Sequence, residues 1–117
     1  MKLKNYGRSV NAAGADMGIV YVFYCPGCGY DHPIHTGGDP LAHPQWEFNG
    51  DLARPTISPS LMVNRDAPGQ VCHSFIADGR IQFLSDCWHP LAGQTMEIPE
   101  YEDEYEYPPS ARTGSTA

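Results

Sequence analysis

The sequence has no apolar run that could cross a membrane and no amino-terminal secretion signal. A membrane-spanning helix needs about 20 consecutive apolar residues, and no segment of the 117-residue chain comes near that length. The first residues, MKLKNYG, carry two lysines without the apolar stretch that follows them in a signal peptide. We therefore expect a cytoplasmic protein with no membrane association.

Basic residues are also scarce. The chain has 7 Lys and Arg against 14 Asp and Glu, which gives a formal net charge of −7. Six of the acidic residues lie within residues 97–106, so the rest of the chain is close to neutral. Proteins bind the phosphate backbone of nucleic acids through a basic face, and neither part of the chain offers one. Direct nucleic-acid binding is therefore disfavoured.

No long segment of the sequence favours a helix, because 11 prolines and 12 glycines are spread along the chain. Residues 19–24 form a β-branched and aromatic run that predicts a buried strand ending at Cys25. Further on, Asp78-Gly79 between two strand-like runs predicts a hairpin in which Ala77 faces Arg80. The fold class predicted is mainly β: a small zinc-stabilised antiparallel sheet domain with hairpins, long loops and little helix.

The chain divides into three parts by composition. Residues 1–17 show neither strand nor helix periodicity and are predicted to be a flexible lead-in. Residues 18–99 hold the predicted β domain. Residues 100–117 interleave acids with tyrosines and then become small and polar, which is typical of a disordered acidic tail.

The four cysteines favour metal binding, because a chain without an export signal stays where thiols are reduced. Cys25 and Cys28 are separated by two residues, a spacing that lets both thiolates reach one tetrahedral ion. A redox pair with this spacing would be expected in a βαβ pattern, which the sequence does not predict. Zn²⁺ is therefore the expected cofactor.

The other half of the metal site should come from the segment between Cys72 and His89. Alternation outward from the predicted hairpin turn puts Cys72 and Cys87 on one face of the strands and His73 on the other. The expected ligands are Cys25, Cys28 and Cys72 with either Cys87 or His89, and His73 is a third candidate for the fourth position. Four protein ligands would make the site structural.

The chain resembles a family of small uncharacterised proteins of tailed bacteriophages and prophages. The resemblance covers residues 19–99. It rests on these motifs in this order: Cys25-Pro26-Gly27-Cys28-Gly29, Trp46 with Phe48-Asn49-Gly50, Pro55-Thr56-Ile57-Ser58-Pro59-Ser60, Cys72-His73-Ser74-Phe75-Ile76, Asp78 to Asp86, and His89-Pro90-Leu91-Ala92-Gly93-Gln94-Thr95. The resemblance implies a phage protein exposed to the cytoplasm of an infected bacterium, and it favours His89 over Cys87 as the fourth ligand. The name ammonia monooxygenase, which some members carry, belongs to a membrane copper enzyme and does not fit this chain.

Two functions follow as hypotheses. The first, which the sequence favours, is a non-enzymatic zinc-binding accessory protein that binds an unidentified host or phage protein and counters a host factor. The second is a zinc-dependent hydrolase with an open metal position, built on His32, His73, Asp86 and His89. Asp86 would orient an imidazole in that enzyme or, as a structural residue, cap a turn. The sequence contains no nucleophile-elbow or paired-histidine protease motif.

Overall fold

The computed structural model describes residues 1–101, which form two antiparallel β-sheets. The first sheet contains β1 (Lys4–Val10), β2 (Asp16–Cys25) and β3 (Tyr30–Thr36) in that spatial order. The second sheet contains β4 (Glu47–Phe48), β5 (Ile57–Val63), β6 (Cys72–Ala77), β7 (Arg80–Phe83) and β8 (Thr95–Glu97), also in chain order. A single-turn 3₁₀ helix, Pro68–Gln70, precedes β6. The predicted mainly β fold class is confirmed.

Both sheets contribute to one hydrophobic core. Phe23 and Ile34 come from the first sheet, and Ile76, Ile81 and Phe83 come from the second. Each of these side chains is at most 2% exposed. Burying apolar surface from two sheets against each other is what stabilises a domain of this size, and it fixes β2 and β6 close enough for their cysteines to meet.

The hairpin between β6 and β7 has the predicted register. Ala77 pairs with Arg80, and Ser74 pairs with Phe83. Asp78 and Gly79 both have positive φ, at 53° and 78°, as a two-residue primed turn requires. Along β6 the buried residues alternate with more exposed ones, so consecutive side chains on this strand lie on opposite faces of the sheet.

The amino-terminal segment differs from the expectation of a flexible lead-in. Lys4–Val10 form β1, which pairs with β2, and Leu3 is fully buried in the core. The pairing of β1 has register irregularities on both sides of Arg8 and Ser9, and Gly7 has a positive φ of 86°. Such irregularities break the period-2 alternation of a strand, which is why the sequence pattern did not reveal it.

The described structure includes two residues beyond residue 99, the expected end of the β domain. The backbone N–H of Tyr101 donates to the carbonyl of Met1 at 2.7 Å, and its hydroxyl donates to Asp31 Oδ2 at 2.7 Å. Residues 102–117, which make up most of the predicted acidic tail, lie outside the described residues. Within residues 1–101, no helix has the length and apolar character needed to span a membrane.

Candidate metal centre and the adjacent Ser-His-Asp cluster

Four potential metal ligands converge where the two sheets meet. The donor atoms of Cys25, Cys28, Cys72 and His89 all lie within 4.8 Å of one another. Cys25 ends β2, Cys28 lies in the turn that follows, Cys72 begins β6, and His89 lies beyond β7. Three of the four residues are buried and Cys28 is partly buried. Three sulfurs and one imidazole at this spacing fit a tetrahedral metal ion.

The shifted pKa values of Cys25 and Cys72 also fit a site for a cation. A hydrogen bond from the thiol of Cys72 lowers the pKa of Cys25 to about 4, and the same bond raises the pKa of Cys72 above its usual range. The pKa values of the two neighbouring thiols thus shift in opposite directions, because two thiolates this close would repel each other. A divalent ion would remove that conflict and allow all three sulfurs to bind as thiolates.

His89 is held in place from several sides. Its Nε2 lies 3.5 Å from Cys72 Sγ, and its ring packs edge-on against Phe83 with 4.5 Å between the centroids. Its Nδ1 is buried without a hydrogen-bond partner in the described structure. A Cβ added to Gly27 would overlap the imidazole ring, so the glycine inside the Cys25 to Cys28 turn makes the room that His89 occupies.

Cys87 and His73, which the sequence allows as the fourth ligand, are not part of this cluster. The thiol of Cys87 instead contacts the main chain of His73, donating to its carbonyl at 3.1 Å and accepting from its N–H at 3.3 Å. Alternation from the hairpin does not extend to Cys87, because β7 ends at Phe83 and the chain then turns, with the Cys87 N–H donating to Leu84 O at 3.2 Å.

A second cluster lies beside the metal centre and contains Ser60, His73 and Asp86. The Nε2 of His73 is 3.1 Å from Ser60 Oγ, and its Nδ1 is 3.3 Å from Asp86 Oδ2. Ser60 lies on β5, His73 on the neighbouring strand β6, and Asp86 in the turn after β7. One imidazole thus bridges a hydroxyl and a carboxylate, which is the geometry of a Ser-His-Asp triad.

The main chain of Ser60 is fixed by Trp46, whose indole N–H donates to the Ser60 carbonyl at 3.1 Å. The other two members of the cluster reach solvent, since the side chains of His73 and Asp86 are 21% and 55% exposed. Phe75, two residues along β6 from His73, is 47% exposed, and its ring centroid is 6.5 Å from that of His73. The cluster is therefore accessible from the surface and has an apolar side chain next to it.

In chemical terms, the cluster can produce an activated serine. His73 can take the Ser60 proton through Nε2 if Asp86 accepts a hydrogen bond from Nδ1–H and so holds the required tautomer. Both distances are at the long end of the hydrogen-bond range, as is usual for catalytic contacts without a bound substrate.

The residues of the predicted metallohydrolase are divided between different places. His89 joins the cysteines, whereas His73 and Asp86 join Ser60. His32 lies on β3, 1% exposed, beside the Cys25 thiol and with its ring edge-on to Phe23 at 5.5 Å. The four residues therefore do not surround one open metal position.

Sequence reasoning missed Ser60. The available signal was the predicted alternation on β6, which put His73 on the face opposite Cys72 and so away from the metal. The partner on the next strand could not be inferred, because β5 pairs with β6 at Met62 and His73 only after an irregularity between Ile57 and Leu61. Because of that irregularity, counting residues along a regular strand does not predict the position of Ser60 relative to His73.

Comparison with known families gives a match over most of the chain. The model of a family described as bacterial ubiquitination-like system serine protease (BubE) matches residues 4–84, which is more than half of the chain. Comparison with curated proteins and with solved structures finds no match. The match overturns both functions expected from the sequence, a viral accessory protein that binds a partner and a zinc-dependent hydrolase. The family is described instead as serine proteases of a bacterial system.

Proposed function

We propose that this chain, which belongs to the family of bacterial ubiquitination-like system serine proteases, is itself a serine protease with Ser60 as its nucleophile. The observation that carries the proposal is the position of the His73 imidazole between Ser60 Oγ and Asp86 Oδ2. The family match includes Ser60 and His73 and stops two residues before Asp86.

In this mechanism, Ser60 Oγ attacks the carbonyl carbon of an amide bond while its proton moves to Nε2 of His73. Asp86 stabilises the imidazolium that forms. The C–N bond then breaks as His73 returns the proton to the leaving amine, which leaves an acyl group on Ser60. A water molecule, deprotonated by His73, releases the acyl group and restores the serine.

The substrate class that fits is a protein chain. The family description places its members in a ubiquitination-like system, in which the partners are proteins. The described surface agrees with this, because His73 and Asp86 are open to solvent and an exposed aromatic side chain, Phe75, lies beside them. A partly exposed triad is accessible to a bond in an extended segment, and Phe75 offers apolar area that such a segment can cover.

We also propose that Cys25, Cys28, Cys72 and His89 bind Zn²⁺ in a structural site. Four protein donors complete a tetrahedral shell and leave no position for a catalytic water. The ion would tie the end of β2, the start of β6 and the turn after β7 together at one point. Its role in this proposal is to stabilise the scaffold on which Ser60 and His73 are placed.

The test is a burst experiment with p-nitrophenyl acetate. An enzyme that acylates its own serine releases a rapid burst of p-nitrophenolate, about one equivalent per active site, before the slower steady rate. We expect the burst in the wild-type protein and in Ser58→Ala, an exposed serine of the same strand, and we expect Ser60→Ala to lose it. An undiminished burst in Ser60→Ala would refute the proposal.

A further inference from the structure

The thiol of Cys87 makes two contacts with a single residue, His73. It donates to the carbonyl oxygen of His73 at 3.1 Å and accepts from the backbone N–H of the same residue at 3.3 Å. Cys87 is buried, at 9% exposure. It is also the only one of the four cysteines that lies outside the metal-ligand cluster, so metal binding does not account for its position.

These contacts occur where the β6 to β7 ladder stops. The last paired residues are Ser74 and Phe83, so His73 lies one position beyond the end of β7. Two main-chain bonds continue the pairing on that side: the N–H of Leu84 donates to the His73 carbonyl, and the N–H of Trp88 donates to the Val71 carbonyl, each at 2.9 Å. The backbone N–H of His73 has the Cys87 sulfur as its partner. A main-chain N–H at the end of a ladder needs a partner from outside the ladder. The Cys87 thiol supplies both a donor and an acceptor at this position.

The neighbour of Cys87 in the chain is Asp86, which contacts the same histidine through its carboxylate at 3.3 Å. The Asp86-Cys87 pair therefore bonds His73 at three atoms: the ring Nδ1, the main-chain nitrogen and the main-chain oxygen. The carboxylate orients the ring, while the thiol fixes the backbone from which the ring extends.

We infer that Cys87 is a positioning residue of the protease: its thiol holds the main chain of His73 so that the imidazole stays between Ser60 and Asp86. This inference rests on the function proposed above. Cys87 does not touch the reacting atoms. Its effect comes through His73, since a displacement of about 1 Å in a catalytic group can cost about 100-fold in rate.

The variants that test the inference are Cys87→Ala and Cys87→Ser, with Ser85→Ala as the matched control at an exposed position in the same turn. The readout is the second-order rate constant for phosphonylation of the protein by a fluorophosphonate, a small probe that reports how strongly the serine is activated. We expect Cys87→Ala to react about 100-fold more slowly than wild type. We expect Cys87→Ser to stay within about tenfold of wild type, because a hydroxyl keeps both the donor and the acceptor.

Metal content is measured in parallel and should be unchanged in both Cys87 variants, because the thiol is outside the cluster. An unchanged rate in a folded Cys87→Ala, an equal loss in both variants, or loss of metal from Cys87→Ser would each overturn the inference. Should Cys87→Ala fail to fold, Cys87→Ser decides: retained reactivity with retained metal supports a hydrogen-bonding role, and loss of either contradicts it. Ser60→Ala distinguishes failure of the inference about Cys87 from failure of the proposed function. If the probe still reacts with Ser60→Ala, the proposed function is wrong.

Discussion

Cys72 and His73 are consecutive residues on β6, and their side chains serve different clusters on opposite faces of the sheet. The sulfur of Cys72 lies 3.5 Å from His89 Nε2 in the metal-ligand cluster, while the imidazole of His73 lies 3.1 Å from Ser60 Oγ. The two-residue period of a strand makes this separation unavoidable. Contacts that hold Cys72 in place therefore also hold the backbone beside His73, the proposed general base.

Replacing the carboxylate of the triad should reduce turnover without affecting the metal. Asp86→Asn keeps the shape of the side chain but no longer favours the required tautomer of His73, and we expect kcat for p-nitrophenyl acetate to fall by about 10³- to 10⁴-fold. Asp66→Asn, at an exposed carboxylate in the segment between β5 and β6, is the control and should keep the wild-type kcat. A loss of less than tenfold in Asp86→Asn would mean that Asp86 is not a member of the triad.

The metal centre should be sensitive to one added methyl group. Gly27→Ala places a Cβ where the His89 ring lies, whereas Gly69→Ala places one in open space. We expect Gly27→Ala to lose most of its zinc, because the ring must move away from the three sulfurs, and Gly69→Ala to keep about one ion per chain. Elemental analysis of the freshly purified, reduced proteins measures this. Equal zinc in the two variants would contradict the ligand assignment of His89.

Loss of a thiolate should destabilise the fold much more than loss of a histidine elsewhere. Cys72→Ser removes one of the proposed ligands, and since metal binding contributes to folding, we expect a cost of about 4 kcal/mol or more. His43→Ala removes a ring that stacks on His35 at 3.7 Å between centroids and is not a member of the metal-ligand cluster, and its cost should be about 1 kcal/mol. Urea unfolding of the two variants gives both values, and similar midpoints would argue against a structural metal.

The indole of Trp46 should matter for the placement of Ser60. Trp46→Phe removes the N–H that donates to the Ser60 carbonyl at 3.1 Å, and we expect about 1 kcal/mol less stability and a kcat lowered by about tenfold. Trp88→Phe is a matched control, because the N–H that it removes donates to Cys28 Sγ at 3.4 Å instead. Its kcat should be close to that of wild type. The same kcat in both variants would show that the Trp46 bond does not position the serine.

The sequence predicted those parts of the structure that depend on local pattern. The β6 to β7 hairpin follows from Asp78-Gly79 and its flanking alternation. Cys25, Cys28 and Cys72 lie together as expected, and of the three candidates for the fourth position it is His89, favoured by the resemblance, that joins them. Whether these residues bind zinc stays a prediction. β1 was not predicted, because its irregular pairing around Arg8 hides the strand period.

The triad could not be predicted in the same way. Ser60 and His73 are 13 residues apart in the chain, as are His73 and Asp86, and both contacts depend on tertiary structure rather than on a local motif. The first requires the register of β5 against β6 after an irregularity, and the second requires the turn that follows Phe83. The sequence offers Asp86 as a carboxylate that orients an imidazole, and the histidine that it contacts is His73 rather than a proposed metal ligand.

The most direct test of the account is to find which residue a fluorophosphonate modifies. The intact wild-type protein is treated with the probe, its mass is measured, and the modified peptide is sequenced by tandem mass spectrometry. We predict a single adduct on Ser60, lost in Ser60→Ala and retained in Ser58→Ala. An adduct on another residue, or no adduct on zinc-loaded wild-type protein under conditions that label a known serine protease, would contradict the assignment of Ser60, His73 and Asp86 as the catalytic triad.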